Sequence, residues 1–228
     1  MDLEKALHEQ DFFYGIDDKS RTEILKRGKP LIFMRGDSIF QEGTLASKCY
    51  LLLEGKLKLT KVHEEGKSLL VSYVEPGEIV GIIALFKDQE YPVSCEAALD
   101  SKLVSWTKND ILLVLKEFPE IAINMIKIVI ERLHQMQRRY LEMYAEEAEK
   151  RIARAILRFM RQSGKKVEEG ILIDFPLARQ EIAEYTGTTL YTVSRAMSSW
   201  EKKDWVKSKH KRIIVKNPHA LIDFSESF

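Results

Sequence analysis

The residues of this chain whose types and spacing suit chemistry on a partner lie between Arg179 and Arg212. Ser194 and Arg195 stand together in the run Leu190-Tyr191-Thr192-Val193-Ser194-Arg195, and Ser198 follows one helical turn later. A guanidinium presented from a helix can bond guanine O6 and N7 with two parallel hydrogen bonds, and the neighbouring hydroxyls suit base edges or phosphates. From Lys202 to Lys216, seven Lys or Arg stand against Asp204 alone, a local balance of +6. Beside a reading helix, such a run points to phosphate contacts by Lys209, Lys211 and Arg212, which give affinity without sequence information. The candidate DNA-binding residues are therefore Arg179, Thr189, Leu190, Tyr191, Ser194, Arg195, Ser198, Lys209, Lys211 and Arg212.

Catalytic patterns are not found. The chain lacks a nucleophile elbow, a P-loop and an HExxH zinc motif. Its adjacent acidic pairs, Glu146-Glu147 and Glu168-Glu169, point in different directions along any helix and read as solvated surface. No enzyme and no metal site is expected. Cys49 and Cys95 sit in apolar, strand-like contexts and are too few for a four-thiolate cluster, so buried thiols in a reducing cytosol are expected.

The reading residues need elements to hold them. Ile182 and Ala183 predict a short helix, Gly187 a turn, and Val193, Met197 and Trp200 a second helix whose inner face repeats at i, i+4, i+7. Ala183 lets two helices cross closely, and Gly187 can take the positive φ of a sharp interhelical turn. With that inner face fixed, Leu190, Tyr191, Ser194, Arg195 and Ser198 must face outward. Trp205-Val206 and Ile213-Ile214-Val215 are β-prone runs joined by Lys207 to Arg212, a small hairpin with a basic tip. A plain helical hairpin in a core is the competing reading, and it leaves the basic hairpin unexplained.

The rest of the chain has a different character. Residues 146–228 carry 16 Lys or Arg against 12 Asp or Glu, whereas the remainder carries 20 against 23, so the nucleic-acid signal belongs to the C-terminal part. The charged start MDLEKALHEQ does not read as a signal peptide, and no apolar run approaches the ~20 residues of a membrane span. A cytoplasmic protein without membrane partners is expected. Residues 1–27 predict short helices. From Pro30 to Trp106, short apolar runs such as Cys49–Leu53 and Leu69–Val74 alternate with glycines at 36, 43, 55, 66, 77 and 81. That spacing predicts a sandwich or roll without helix period. Asn109 to about Met160 reads as helix broken only at Pro119. Within it, Ala122, Ile126, Val129, Leu133, Met136, Tyr140 and Met143 form an a/d seam flanked by charge, which predicts a coiled coil and a homodimer. A two-fold dimer would offer two reading helices to a two-fold DNA site.

Three segments, in order, resemble the CRP/FNR family of bacterial transcription regulators. RGDSIFQEGTLASKCYLLLEGKLKL (35–59) with EPGEIVGIIALF (75–86) looks like the cyclic-nucleotide-binding β-roll. A long helix follows, and RIARAIL (151–157) leads into RQEIAEYTGTTLYTVSR (179–195). The resemblance implies an α+β fold: an N-terminal jelly-roll-like sensor domain over 1–117, a dimerisation helix over 118–146, and a C-terminal winged helix-turn-helix over 147–228. It also implies a homodimer on palindromic double-stranded DNA, acting on RNA polymerase at promoters. The implied effector pocket comprises Gly81, Ile82, Ile83, Ala84, Pro92, Val93, Met136 and Gln137; the implied dimer interface comprises Ile126, Val129, Leu133, Met136, Tyr140 and Met143.

The chain also departs from the family's pattern. Where cAMP-responsive members carry a ribose-binding Glu this chain has Ile82, and where they carry the phosphate-binding Arg-Ser pair it has Pro92-Val93. Their adenine-gripping Thr-Ser pair reads Met136-Gln137. An anionic phosphate without an Arg partner is poorly compensated in a pocket of low dielectric, so cAMP is disfavoured. An apolar or weakly polar effector, a haem and a vestigial pocket remain open, with His63, His134, Met34 and Met136 as conceivable haem ligands. The cysteine cluster of the family's iron–sulfur branch is missing. In the second helix Tyr191 stands where the family carries a cytosine-reading Glu, while Ser194 and Arg195 match. A nucleotide-binding regulatory subunit acting without DNA is the remaining alternative, and it gives residues 147–228 no purpose.

Overall fold

The computed structural model describes residues 11–62, 66, 68–86 and 88–226. The described residues fall into two compact units, one drawn from residues 11–66 and 71–135, the other from residues 68–70 and 136–226. The first unit begins with a 3₁₀ turn, Asp11–Phe13, and helix α1, Asp18–Lys26. Two antiparallel four-stranded sheets follow. One has the order β1 (Lys29–Phe33), β8 (Ser101–Thr107), β3 (Lys48–Glu54), β6 (Ile79–Val80). The other has the order β2 (Ser38–Phe40), β7 (Ser94–Ala97), β4 (Leu57–Val62), β5 (Ser68–Val74). A 3₁₀ turn at Ile82–Leu85 is the one helical piece among the described residues of this strand region, where the sequence predicts none.

The unbroken apolar run Cys49–Leu53 is explained by burial of β3 on both faces. Tyr50 and Leu52 point into the interior shared with Phe40, Leu57, Val80, Cys95 and Leu103. Cys49 and Leu51 point the other way, against Phe12, Ile24, Trp106, Ile111, Ile121, Met125 and Ile128. Trp106 is fully buried and its indole N–H donates to the Ile24 carbonyl at 3.2 Å, which satisfies the one polar atom of that side chain.

Helix α2, Lys108–Glu117, starts from a capping box in which Thr107 accepts from the Asp110 N–H and Asp110 accepts in return from the Thr107 N–H. Pro119 opens α3, Pro119–Ala145, where the missing N–H of a proline costs nothing. The sequence predicts Pro119 as the sole break; the structure adds one at Glu146-Glu147, after which α4 runs over Ala148–Ser163. Glu147 takes an extended backbone and serves as the N-cap of α4.

The second unit continues with β9 (Gly164–Val167), β10 (Gly170–Ile173), α5 (Arg179–Thr186), α6 (Leu190–Lys202), β11 (Val206–Lys209), β12 (Arg212–Val215) and α7 (Pro218–Glu226). Its four strands form one antiparallel sheet in the order β11-β12-β10-β9. Helix α4 anchors the unit by burying Ile152, Ala153, Ile156, Leu157 and Phe159 along one face. Among the described residues no helix is long and apolar enough to cross a membrane.

Cys49 and Cys95 are buried, and burial pushes both thiols up to about 12. Both should therefore resist Ellman's reagent in the native protein at mildly alkaline pH and react together once denaturant is added. Labelling of either at the rate of free cysteine would contradict this packing. Leu51→Ala removes a fully buried side chain from the centre of the first unit. It should cost about 2–5 kcal/mol in denaturant unfolding.

Candidate functional site

The pair α5 and α6 forms the helix-turn-helix that the apolar spacing predicts. Ile182 and Ala183 of α5 pack against Val193, Ala196, Met197 and Trp200 of α6, all buried. Gly187 ends α5 at φ +62°, the left-handed geometry that the turn requires. Leu190, Tyr191, Arg195 and Ser198 are exposed on the opposite face of α6, and Ser194 is half-buried. Thr189 is the N-cap: its hydroxyl accepts from the Thr192 N–H at 3.1 Å and lies 2.9 Å from the Thr192 hydroxyl. Arg195 is held by Glu149 of α4 at 3.2 Å in a solvent-facing pair. Such pairs contribute about 0.2–1 kcal/mol, so Arg195 can exchange Glu149 for another partner at little cost.

The β11–β12 hairpin is longer and its turn tighter than the sequence predicts. Val206 to Lys209 pairs with Arg212 to Val215, leaving only His210 and Lys211 in the turn, at φ +50° and +62°. Two consecutive left-handed residues make a type I′ turn, which ordinarily takes Asn-Gly. Side chains with a Cβ carry strain there of roughly 1–2 kcal/mol per residue. The structure sustains it by tying the tip down, with the Leu177 N–H donating to the Lys211 carbonyl at 2.7 Å. Lys209, His210, Lys211 and Arg212 are all exposed at this tip. Together with Ala178 and Arg179 at the start of α5, they line a cleft of about 270 Å³, wide enough for an anionic oxygen group.

Arg179 is not a free contact. Its guanidinium lies half-buried between Glu201 of α6, at 3.3 and 3.5 Å, and the Ser208 hydroxyl of β11, at 2.9 Å. Glu201 also accepts from the Ser208 N–H at 3.1 Å and from its hydroxyl. One carboxylate thus fixes the β11–β12 hairpin against α6. Sequence reasoning missed Glu201 and Ser208, yet a signal existed: an acid in the last turn of a helix opposes the helix dipole and needs cationic partners. It also missed the clamp that joins the end of α3 to this unit. Arg139 donates to the Tyr185 carbonyl at 2.8 Å and stacks on that ring at 3.9 Å. Arg158 bonds both oxygens of Glu142, at 2.8 and 2.9 Å, and Arg151 donates to the Thr186 carbonyl at 3.1 Å.

In the first unit, Gly81, Ile82, Ile83, Pro92 and Val93 line a cavity of about 170 Å³. Gly81 sits at φ +73°, and a Cβ there would meet the Lys48 carbonyl at 2.7 Å, so only glycine lets the chain bend into this wall. Of the other candidates, Ala84 is buried in the roll's core, and Met136 and Gln137 of the second unit are exposed. Helix α3 supplies Val129 and Arg132 instead, because Ile121, Met125 and Ile128 set its inward face and Arg132 continues that face one turn on. The lining is therefore apolar with one guanidinium rather than wholly apolar. Met34 and His134 are exposed and outside the cavity, and His63 lies outside the described residues.

On the predicted seam, Ile126, Val129, Leu133, Met136, Tyr140 and Met143 are between 48% and 72% exposed, and Ala122 is half-buried. Ile123, Ile130, Leu141 and Tyr144 widen this bare stripe beyond the a/d positions.

Comparison with known proteins agrees with this arrangement. A cyclic nucleotide-binding domain model matches residues 30–118, and a Crp-like helix-turn-helix domain model matches residues 150–224. The chain is 30% identical to a global nitrogen regulator of Synechococcus elongatus, over 83% of its own length and 86% of that protein. It is 20% identical to a CRP-like cAMP-activated global transcriptional regulator of Mycobacterium tuberculosis, over 96% and 98%. In fold it is similar to a CRP/FNR family transcriptional regulator of Thermus thermophilus, with a TM-score of 0.74 at 24% identity over 87% and 99% of the two chains. The chain belongs to the CRP/FNR family of transcription regulators, with a DNA-binding helix-turn-helix domain.

Two substitutions separate strain from contact. Lys211→Gly should relieve the left-handed strain, raising stability by up to about 1 kcal/mol, yet lower the salt slope of DNA binding by about one unit for each tip engaged. Arg195→Ala should cost about 1–3 kcal/mol per half-site and relax preference at one base position. Thermal melts and half-site selection read these outcomes. An unchanged salt slope removes Lys211 from the interface, and an unchanged selected sequence removes Arg195.

Proposed function

We propose that this protein is a homodimeric, sequence-specific regulator that binds two-fold symmetric promoter DNA under control of an effector in the roll, and that the effector is not cAMP. The observation that carries the reading is the join of an outward helix face, bearing Arg195, to a strained and wholly basic hairpin tip within one unit. Base reading and phosphate anchoring are then supplied side by side. Tyr191, 75% exposed on that face, suits a phosphate or a thymine methyl better than a cytosine.

Dimerisation is supported by the stripe along α3. A contiguous apolar face of this kind is covered in a stable soluble protein, and a second copy covers it with an identical face about a two-fold axis. The expected partners are a second copy, double-stranded DNA and, from the family, RNA polymerase, in the cytoplasm where the promoter lies. Against cAMP stand Ile82 and Pro92-Val93, which replace the ribose acceptor and the phosphate-binding pair of cAMP-responsive members, and a space of about 170 Å³, small beside the roughly 300–1,000 Å³ of pockets for drug-sized ligands, even with Arg132 in its wall. Calorimetry with cAMP should show no binding tighter than ~1 mM, which corresponds to about 4 kcal/mol.

Leu133→Asp tests the dimer. Leu133 is 51% exposed in the single chain, so the variant should fold, but an unpaired carboxylate in the seam should cost several kcal/mol of association. Sedimentation should report monomers, and the gel-shift of a selected operator should be lost together with dimerisation. A variant that stays dimeric would refute the seam.

A further inference from the structure

The cavity of the roll joins three features that select one chemistry. Its walls are Phe40, Leu59, Val80, Ile82, Ile83 and Val93, with Tyr91 and Pro92 beside them. Tyr91 is stacked on Phe40 at 4.1 Å, and its hydroxyl is already committed, donating to the Lys48 carbonyl at 2.7 Å and accepting from the Lys48 N–H at 3.1 Å. The polar side chain left to meet an occupant is Arg132 of α3.

Arg132 has capacity to spare. Among the described residues, its one hydrogen bond runs from Nη2 to the Ile79 carbonyl at 2.7 Å. Its acidic neighbour Glu78 accepts from the Glu75 N–H at 2.8 Å, and burial raises the Glu78 pKa against the opposing charge of Arg132. Burial likewise lowers the Arg132 pKa against the pull of Glu78. With Glu78 as its charged neighbour and one hydrogen bond to the Ile79 carbonyl, this half-buried guanidinium keeps donors in hand, and it presents a planar fork that matches a carboxylate.

Size narrows the occupant. The space of about 170 Å³ is below the roughly 300–1,000 Å³ of pockets for drug-sized ligands, and close to the roughly 150 Å³ that accepts benzene in an apolar core. We propose that the roll takes a small organic carboxylate whose apolar body is about the size of a benzene ring, with Arg132 binding the carboxylate and the apolar walls enclosing the body. The proposal rests on the reading of the roll as a sensor. It also gives the occupant a grip on α3, because Val129 lines the cavity and stands on the helix's bare stripe, and Arg132 is the neighbour of Leu133.

Calorimetry on the full-length wild-type protein tests this with benzoate, benzamide, acetate and phenyl phosphate. Benzoate should bind, while benzamide, which keeps the ring and loses the charge, and acetate, which keeps the charge and loses the ring, should each bind at least about 10-fold more weakly. Arg132→Gln should weaken benzoate by about 10–100-fold, and Arg132→Lys should recover part of the loss. Equal binding of benzoate and benzamide, no benzoate binding up to millimolar concentration, or tighter binding of phenyl phosphate than of benzoate would overturn the proposal. A gel-shift of the unliganded protein with bulk DNA at two salt concentrations keeps the two readings apart. DNA binding with a steep salt slope but no carboxylate binding sinks only the ligand class, whereas absence of DNA binding sinks the regulator.

Discussion

Helix α3 is apolar on two faces, and much of the molecule is arranged around that constraint. Ile121, Met125 and Ile128 bury one face against the roll, while Ile123, Ile126, Ile130, Leu133, Tyr140 and Tyr144 leave the other face bare in the single chain. A helix hydrophobic on both sides is stable only when both are covered. The roll covers the first. The second is an unmet demand, which the proposed symmetric copy would satisfy. The same helix then changes character along its inward line, from apolar at Ile121, Met125 and Ile128 to charged at Arg132, Arg139 and Glu142. Each charged position has a defined local partner or cavity: Arg132 borders the apolar space of the roll, and Arg139 and Glu142 grip Tyr185 and Arg158.

The reading unit is built for rigidity at the points where it would touch DNA. Glu201 holds Arg179 and Ser208 together, so the start of α5, the end of α6 and the wing share one carboxylate. The wing tip keeps His210 and Lys211 in a backbone geometry that glycine would adopt without strain. Strain retained where a simpler residue would serve points to a side chain kept for its charge. Among the described residues Arg195 pairs with Glu149 in an exposed position, so the proposed base-reading residue is readily redirected.

Much of this is legible in residue spacing, and the failures have physical causes. The helix-turn-helix can be read because Ile182, Ala183, Gly187, Val193, Met197 and Trp200 each report burial or backbone geometry through their type alone. The strands β3 and β8 can be read from continuous apolar runs, whereas β2, β6 and β7 are two to four residues long and too short for a period to emerge. The β9–β10 hairpin is hidden because Lys165, Lys166, Glu168 and Glu169 mark it as surface, and its pairing is set by neighbours distant in sequence. By spacing alone, Arg132 falls on the charged flank of the seam. Only its register with Ile121, Met125 and Ile128 reveals that it faces the cavity, and register across a helix with two apolar faces is ambiguous from sequence. The break at Glu146-Glu147 has no proline or glycine to announce it.

The most direct test of the account is selection of the wild-type protein's binding sites from a fully randomised DNA pool. A rigid unit on each of two symmetric helices predicts an enriched sequence with two inverted half-sites, their centres roughly 34–36 Å apart or a multiple of that distance. Enrichment of a single asymmetric element, or none above bulk DNA, would contradict it.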